Sequence, residues 1–103
     1  MAGPGKAARG KRRWIGVRIS SRETSREACE EILGRLLDGL HWRLYDHYIE
    51  SDGSVGAIVK VTLNDCEAAT SRINSDEGCC TITRSGKIKL VRERLGIGKK
   101  EIT

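Results

Sequence analysis

The histidines, serines and carboxylates of this chain are not spaced as an active site requires. His41 and His47 lack a second histidine or a carboxylate at metal-ligand spacing, so we interpret both as surface or structural residues. Asp46 precedes His47 in a predicted strand, where adjacent side chains point to opposite faces, so the two cannot form a dyad. No serine lies in a Gly-x-Ser-x-Gly elbow, and no phosphate-binding glycine motif is present. The sequence therefore predicts no catalytic residue, no cofactor, no metal site and no enzyme activity of the chain's own.

The four cysteines fit neither a zinc site nor a disulfide framework. They form no Cys-x-x-Cys pair, and the adjacent Cys79 and Cys80 would point to opposite faces of a strand. No apolar segment follows the basic start as it does in a signal peptide, which favours an intracellular chain with reduced thiols. We therefore interpret all four as small buried hydrophobic residues: Cys29, Cys66, Cys79 and Cys80.

Positive charge is concentrated at the two ends of the sequence. The net charge of +5 divides into +5 over residues 1–13, −5 over residues 14–83 and +5 over residues 84–103. Clustered lysines and arginines attract phosphate backbones through counterion release, and the alternative is a solubilising tail with a solvated helix face. A glycine turn at Ser85-Gly86 also enters a predicted basic helix, where backbone N–H groups favour phosphate. The predicted RNA-binding residues are Lys11, Arg12, Arg13, Arg84, Lys87, Lys89, Arg92 and Arg94.

The few aromatic residues are not placed as in an RNA-recognition motif. The chain has two Trp, two Tyr and no Phe, and the predicted strand over residues 55–62 has no aromatic residue to stack on a base. Trp14 and Tyr45 could still stack on a base or on a partner's side chain, although strand aromatics more often serve packing. We predict a partner-binding face that includes Trp14, Arg18 and Tyr45.

Hydrophobic periodicity predicts four strands and three helices. An Asp-Gly turn joins the second and third strands as a hairpin. Alternating residues indicate the strands at 14–19, 42–49, 55–62 and 79–83. Apolar residues at spacings of three and four indicate helices that run from the caps Ser20-Ser21 to Leu40, over 65–73 and over 87–95.

The element order is β-α-β-β-α-β followed by a helix, which is the split βαβ arrangement. The sequence therefore predicts an α+β, ferredoxin-like sandwich with a four-stranded antiparallel sheet, two helices on one face and the other face free for a partner. The predicted single domain spans residues 14–96, between a disordered basic arm at 1–13 and a frayed tail at 97–103. No apolar run approaches the roughly 20 residues of a membrane helix, so we expect a cytoplasmic protein without a membrane partner.

The segment from Cys79 to Leu95 resembles the C-terminal segment of the ribonuclease P protein component 2 family. Members of that family are small ferredoxin-like subunits of the archaeal and eukaryotic enzyme. Residues 84–89 (Arg-Ser-Gly-Lys-Ile-Lys) match the family's Ser-Gly-Thr-Ile-Lys-like turn before a basic helix, with Lys87 where the family commonly has Thr. The similarity extends over about residues 13–95. Family members often carry an additional helical segment before the hairpin, and the basic arm is not a general family feature.

The resemblance implies a non-catalytic subunit of the ribonucleoprotein that removes the 5′ leader of precursor tRNA. The RNA subunit would perform the metal-dependent cleavage, and this chain would stabilise that RNA while bound to a second, TIM-barrel-like protein subunit. The expected partners are therefore ribonuclease P RNA, precursor tRNA and that protein. Two alternatives remain: a ferredoxin-like regulatory domain that binds a small ligand, and another ribosome-associated or ribonucleoprotein-associated RNA-binding protein. A third alternative is an acylphosphatase-like hydrolase, but Ser20-Ser21-Arg22 resembles the phosphate-binding loop of that enzyme only weakly.

Overall fold

The computed structural model describes residues 11–97, which form one antiparallel sheet with helices on both of its faces. The elements in chain order are β1 (Arg12–Ile19), α1 (Arg26–Leu36), β2 (Trp42–Ile49), β3 (Val55–Thr62), a 3-10 turn (Leu63–Asp65), α2 (Cys66–Ser75), β4 (Cys79–Ser85) and α3 (Ile88–Leu95). The strand order across the sheet is β2-β3-β1-β4, and every neighbouring pair is antiparallel. The predicted α+β, ferredoxin-like sandwich is confirmed.

The helix layer, formed by α1 and α2, covers one face of the sheet and encloses the main core. Alternation along β1 buries Ile15, Val17 and Ile19 on this face. They pack with residues of the apolar helix stripes, among them Leu33 of α1 and Ile73 of α2. The residue periodicities that predict the strands and helices therefore also identify the side chains of this core.

Helix α1 begins later than the sequence predicts. Its N-cap is Ser25 rather than Ser20-Ser21, and the Ser25 Oγ accepts a hydrogen bond from the Ala28 N–H at 3.1 Å. Ser20, the residue after β1, is still held beside β4, because its N–H donates to the Gly78 carbonyl at 2.7 Å. The chain then needs several residues to cross from the sheet to the helix layer before a helix can start.

Two elements also end at residues other than those predicted. Helix α1 stops at Leu36 instead of Leu40, since Leu37 leaves helical geometry and Gly39 turns the chain with a φ of 86°. Strand β4 runs on to Ser85 because its last residues pair with the start of β1. In both cases the tertiary path, rather than local propensity, sets the boundary.

The folded structure extends beyond the predicted domain boundaries at both ends. Arg12 and Arg13 pair with β3 and belong to β1, so the prediction of disorder is wrong for them. Ile97 is completely buried, so the frayed tail does not begin there. The rest of the predicted arm and tail, residues 1–10 and 98–103, lies outside the described residues.

The prediction of a free second sheet face is wrong, because α3 covers the middle of that face. Val91 of α3 and Ile97 beyond it are fully buried against Ile58 and Tyr48 of the sheet. An amphipathic helix must bury its apolar stripe, and two glycines leave room for this packing. A Cβ on Gly56 would overlap the Tyr48 ring, and one on Gly16 would lie 2.9 Å from Leu95 Cδ1.

An ion pair fixes α3 to the sheet. The Arg92 guanidinium donates from Nε to Asp46 Oδ2 at 2.7 Å and from Nη2 to Asp46 Oδ1 at 3.0 Å. Asp46 is only 3% exposed, so this bidentate pair satisfies a carboxylate that would otherwise be buried alone. The hydrogen bonds to Asp46 raise the pKa of Arg92 above its ordinary value.

A β-bulge in β2 decides which residues share the α3 face. Leu44 pairs with Val59 but Asp46 pairs with the adjacent Ile58, so Tyr45 is the extra residue. The extra residue reverses the alternation, which turns Leu44 toward the helix layer and Asp46 toward α3. Tyr45 joins Asp46 on the α3 side, as its ring contact with Trp14 shows.

The cysteines are free thiols, and three of the four are buried as predicted: Cys29, Cys66 and Cys79. Burial raises the pKa of Cys29 to about 11 and that of Cys79 to about 12, so both thiols remain protonated at neutral pH. Cys80 is exposed, so the prediction of burial is wrong for it. The two neighbours point to opposite faces of β4, as alternation requires.

Side chains cover parts of both sheet edges. Arg26 of α1 donates to the Leu44 carbonyl of edge strand β2 at 3.1 Å. At the other edge, the Asn74 amide oxygen accepts from the Thr81 N–H of β4 at 2.9 Å. Unpaired edge groups attract additional strands, so this covering disfavours strand addition as a mode of binding.

Candidate nucleic-acid interface

Five residues gather at the corner of the sheet where β1 and β2 begin and β3 ends. We call this surface the open corner; it lies on the α3 face and consists of Arg12, Trp14, Arg43, Tyr45 and Lys60. The register places Lys60 opposite both Arg43 and Trp14, so these three form a row across three strands. Directly opposed side chains have Cβ atoms about 5 Å apart, so the row is about 10 Å wide.

Trp14 and Tyr45 form an edge-to-face pair within the open corner. Their ring centroids are 4.7 Å apart, and the ring planes meet at 86°. Trp14 is partly buried against the cluster that anchors α3, whereas Tyr45 is 38% exposed. The Lys60 ammonium lies 5.3 Å from the Tyr45 ring centroid as a cation–π contact. The inner ring is therefore held by packing, and the outer ring reaches solvent.

The cations of the open corner have no acidic partner within residues 11–97. Arg12, Arg43 and Lys60 form no ion pair with a described Asp or Glu. They line a groove of about 310 Å³ together with His41, Trp42, Val61 and Thr62. Cations held together in a groove without a counter-charge attract anions, so the groove favours a negatively charged ligand.

Asp65 is a carboxylate near the margin of this groove, and it is already engaged. Its Oδ2 accepts a hydrogen bond from the His41 backbone N–H at 2.9 Å and lies 3.3 Å from the His41 Nδ1. The backbone hydrogen bond from His41 is the main reason why the pKa of Asp65 lies below its ordinary value. Asp65 therefore stays ionised and is held by the turn before β2, where it forms no ion pair with Arg12, Arg43 or Lys60.

A nucleotide base is a stronger partner for Tyr45 than the lysine that now lies over it. A cation–π contact at an exposed site contributes about 0.5–1 kcal/mol. Stacking of a base on a protein aromatic ring contributes about 1–3 kcal/mol. Because lysine is a flexible point charge, the Lys60 ammonium can leave the ring for a phosphate when a base takes its place.

The structure brings together two of the three residues of the predicted partner-binding face. Trp14 and Tyr45 are in contact. Arg18 is exposed on the same sheet face but lies four residues along β1 from Trp14, a separation of about 13 Å. Leu95 of α3 packs over Gly16 between them. Arg18 is therefore separate from the open corner.

The structure brings three of the predicted RNA-binding residues together near the end of β4, where Arg13 and Arg84 line one groove and Arg94 donates to the Arg84 carbonyl at 3.2 Å. Arg84 pairs with Glu67 of α2 at 3.0 Å, Arg92 pairs with Asp46, and Arg94 donates to Thr83 Oγ1 at 3.0 Å. Four of the remaining five are exposed, namely Lys11, Arg12, Lys87 and Lys89, and Arg13 is half-buried. Arg12 alone of the eight belongs to the open corner. The guanidiniums of Arg84 and Arg92 are each paired with a carboxylate of the same chain, exposed for Arg84 and buried for Arg92.

Two residues of the open corner were not predicted from the sequence: Arg43 and Lys60. Both lie in the central segment of the chain, whose net charge is negative, so the charge distribution along the sequence directed attention elsewhere. Alternation along β3 places the Lys60 side chain on the face of the strand away from the core-facing valines. This alternation is the signal that could have identified Lys60. Arg43 becomes part of the surface only through its register with Lys60.

Two other grooves in the described part of the chain are less suited to an anion. One, of about 350 Å³, is lined by Arg13, Arg84 and Glu67 among others, and the Glu67 carboxylate neutralises Arg84 there. The other, of about 130 Å³, lies beside Arg35 and Asp76. Both grooves contain an acidic residue and lack an aromatic one.

The two histidines lie in different environments. His41 is largely exposed and lies against Asp65, while His47 is buried with its Nε2 2.8 Å from the Thr24 carbonyl. Asp46 and His47 point to opposite faces of β2, as predicted. No group of three or more His, Cys, Asp or Glu side chains in this range could hold a metal ion.

Comparisons with family models, with curated proteins and with solved structures each give no match for this chain. Within residues 11–97, none of the helices has the length and apolar character needed to cross a bilayer. The open corner therefore has to be interpreted from its own residues.

Proposed function

We propose that this protein is a non-catalytic RNA-binding subunit of a ribonucleoprotein, and that the particle is ribonuclease P. The observation that carries the proposal is the open corner, where three cations without an acidic partner in the described chain share one corner of the sheet with an exposed tyrosine, and one of them, Lys60, lies over its ring. Proteins that bind RNA combine such charge, which holds phosphates, with aromatic rings that hold bases. The choice of ribonuclease P rests on the resemblance of residues 79–95 to the component 2 family.

The distribution of charge between the two layers supports the same function. The exposed face of α1 carries Glu27, Glu30 and Glu31. These acids repel a phosphate backbone, so RNA would approach from the sheet side of the molecule. In a ribonuclease P particle the RNA would perform the cleavage, and this chain would stabilise the folded RNA in the cytoplasm.

The test is competitive binding of the purified protein to ribonuclease P RNA and to an unrelated structured RNA of equal length, at two salt concentrations. Electrostatic binding weakens steeply as salt rises for both RNAs. A preference for ribonuclease P RNA that survives the higher salt supports the proposal, and reconstitution of precursor-tRNA cleavage then follows.

Equal and salt-sensitive binding to the two RNAs would contradict the assignment to ribonuclease P and leave a general RNA-binding protein. The same binding assay is repeated in the presence of the candidate protein partner. Failure to bind either RNA, with and without that partner, would overturn the RNA-binding function itself. A ligand-binding regulatory domain would then be the better hypothesis, and it predicts a saturable thermal shift with a small metabolite.

A further inference from the structure

We infer that the open corner binds an unpaired nucleotide segment, with one base stacked on Tyr45 and the adjoining phosphates held by Arg12 and Arg43. This inference rests on the RNA-binding function proposed above and specifies the form of RNA that the surface accepts. It is a single-stranded segment, such as a loop, a bulge or an end, rather than a double helix.

The first argument is that Tyr45 is a supported but accessible ring. Tyr45 is the extra residue of the bulge in β2, and its contact with Trp14 shows that its ring lies on the α3 face. Trp14 braces it from one side at a centroid distance of 4.7 Å, and Trp14 is itself packed against the α3 cluster. A ring that is already positioned loses little conformational freedom when a base stacks on it.

The second argument is that only an unpaired base can use this ring. In a double helix each base face is covered by its neighbours, and protein aromatics stack instead on bases that are splayed out of loops, bulges and ends. Apart from Trp14, which is partly buried, the other side chains of the open corner are charged, and charged side chains contact phosphates of any sequence. The exposed Tyr45 ring is therefore the feature that distinguishes single-stranded from double-stranded RNA here.

The third argument is the position of the charges relative to the ring. Lys60 lies in the middle of the row, in register with Arg43 on one side and Trp14 on the other. The groove of about 310 Å³ is lined by Lys60 together with Arg12 and Arg43. A chain whose base lies on Tyr45 would thus place its backbone along cations that have no acidic partner within residues 11–97.

The experiment measures binding of a labelled single-stranded oligoribonucleotide and of a duplex of the same sequence by fluorescence anisotropy. Wild type is compared with Tyr45→Leu, which removes the ring but keeps apolar bulk, and with Tyr45→Phe, which keeps the ring. Tyr45→Leu should weaken single-strand binding about tenfold or more, the expected loss for one stacked base, and should leave duplex binding unchanged. Tyr45→Phe should bind as wild type does.

The outcomes separate this inference from the function on which it rests. Thermal melting first establishes that both variants are folded. If wild type binds single strand and duplex equally and Tyr45→Leu loses no affinity, the open corner is only an electrostatic contact and the inference fails, although RNA binding survives. If wild type binds neither form of RNA, nor ribonuclease P RNA in the companion assay, the proposed function fails as well.

Discussion

The α3 face of the sheet has two regions that use similar residues in opposite ways. Beneath α3, Tyr48 is buried against Gly56, and Arg92 of α3 is paired with Asp46. In the open corner, Tyr45 is exposed, and its neighbouring cations have no acidic partner in the described chain. Tyr45 and Tyr48 are three residues apart on one strand. Position relative to α3, rather than residue type, thus separates a packing tyrosine from a candidate binding tyrosine.

The two regions are also connected by side-chain packing. Trp14 contacts Tyr45 on one side and packs against the α3 cluster on the other. A binding surface is most effective when its side chains are held by a packed layer beneath or beside them. The closed region therefore serves the open corner by fixing its inner aromatic ring, and changes in the two regions should have different consequences.

The largest expected effect is the loss of stability when Arg92 is replaced by Met. The substitution leaves the buried Asp46 carboxylate without its partner and should lower the free energy of unfolding by about 3 kcal/mol. The value is at the lower end of the range for broken buried pairs, because the Arg92 side chain is 36% exposed. Denaturant unfolding measures it. Arg84→Met is the matched control, since its pair with Glu67 is exposed, and equal losses in both variants would contradict the role given to Arg92.

A smaller loss of stability is expected from adding a methyl group beneath α3. The Cβ of Gly56→Ala would overlap the Tyr48 ring, and such overpacking costs about 1–3 kcal/mol. The equivalent change Gly16→Ala meets only the end of the Leu95 side chain, which can rotate away, so it should cost less. Thermal unfolding of the two variants ranks them. The reverse order would show that the packing under α3 differs from that described here.

The pH at which Tyr48 ionises tests whether its side chain is buried beneath α3. Burial, with a contribution from Glu50, raises the pKa of Tyr48 to about 12. The folded state thus holds this proton more tightly than the unfolded chain, whose tyrosines ionise near pH 10. The associated stability is complete below about pH 10 and is lost as the pH rises toward 12. Tyrosinate absorbance should show a late step that Tyr48→Phe abolishes; a late step that persists in Tyr48→Phe would contradict the assignment.

Local patterns in the sequence were sufficient to predict the order of strands and helices along the chain. The alternation of residues 14–19, the helical stripe that includes Leu33 and the Asp-Gly hairpin are all short-range signals, and each is found in the structure. The stripe of α3 was also recognised, but no local signal states which surface a terminal helix will cover. Its placement depends on Gly16 and Gly56, which belong to two other elements.

The candidate site could be predicted only in part, because it depends on register. Trp14 and Tyr45 were identified as aromatic strand residues, and their contact confirms that they share a face. Arg43 and Lys60 join them only through pairing across three strands. The bulge at Tyr45 has no clear sequence signal, yet one extra residue exchanges the two faces of a strand. Long-range pairing of this kind cannot be obtained from periodicity along the chain.

The central claim is that the open corner, rather than net positive charge, binds RNA. It is tested most directly by the salt dependence of the binding constant for ribonuclease P RNA. Wild type is compared with the double variant Arg43→Gln/Lys60→Gln and with Arg22→Gln/Arg35→Gln, which removes two exposed charges next to and on α1. The two variants have the same net charge, so any difference between them reports on position.

We predict that the open-corner variant binds more weakly and that its log–log salt slope is shallower by about 1.4–1.8, corresponding to two lost phosphate contacts. The α1 variant should retain the wild-type slope. Equal slopes for the two variants, or a wild-type slope in the open-corner variant, would contradict the claim.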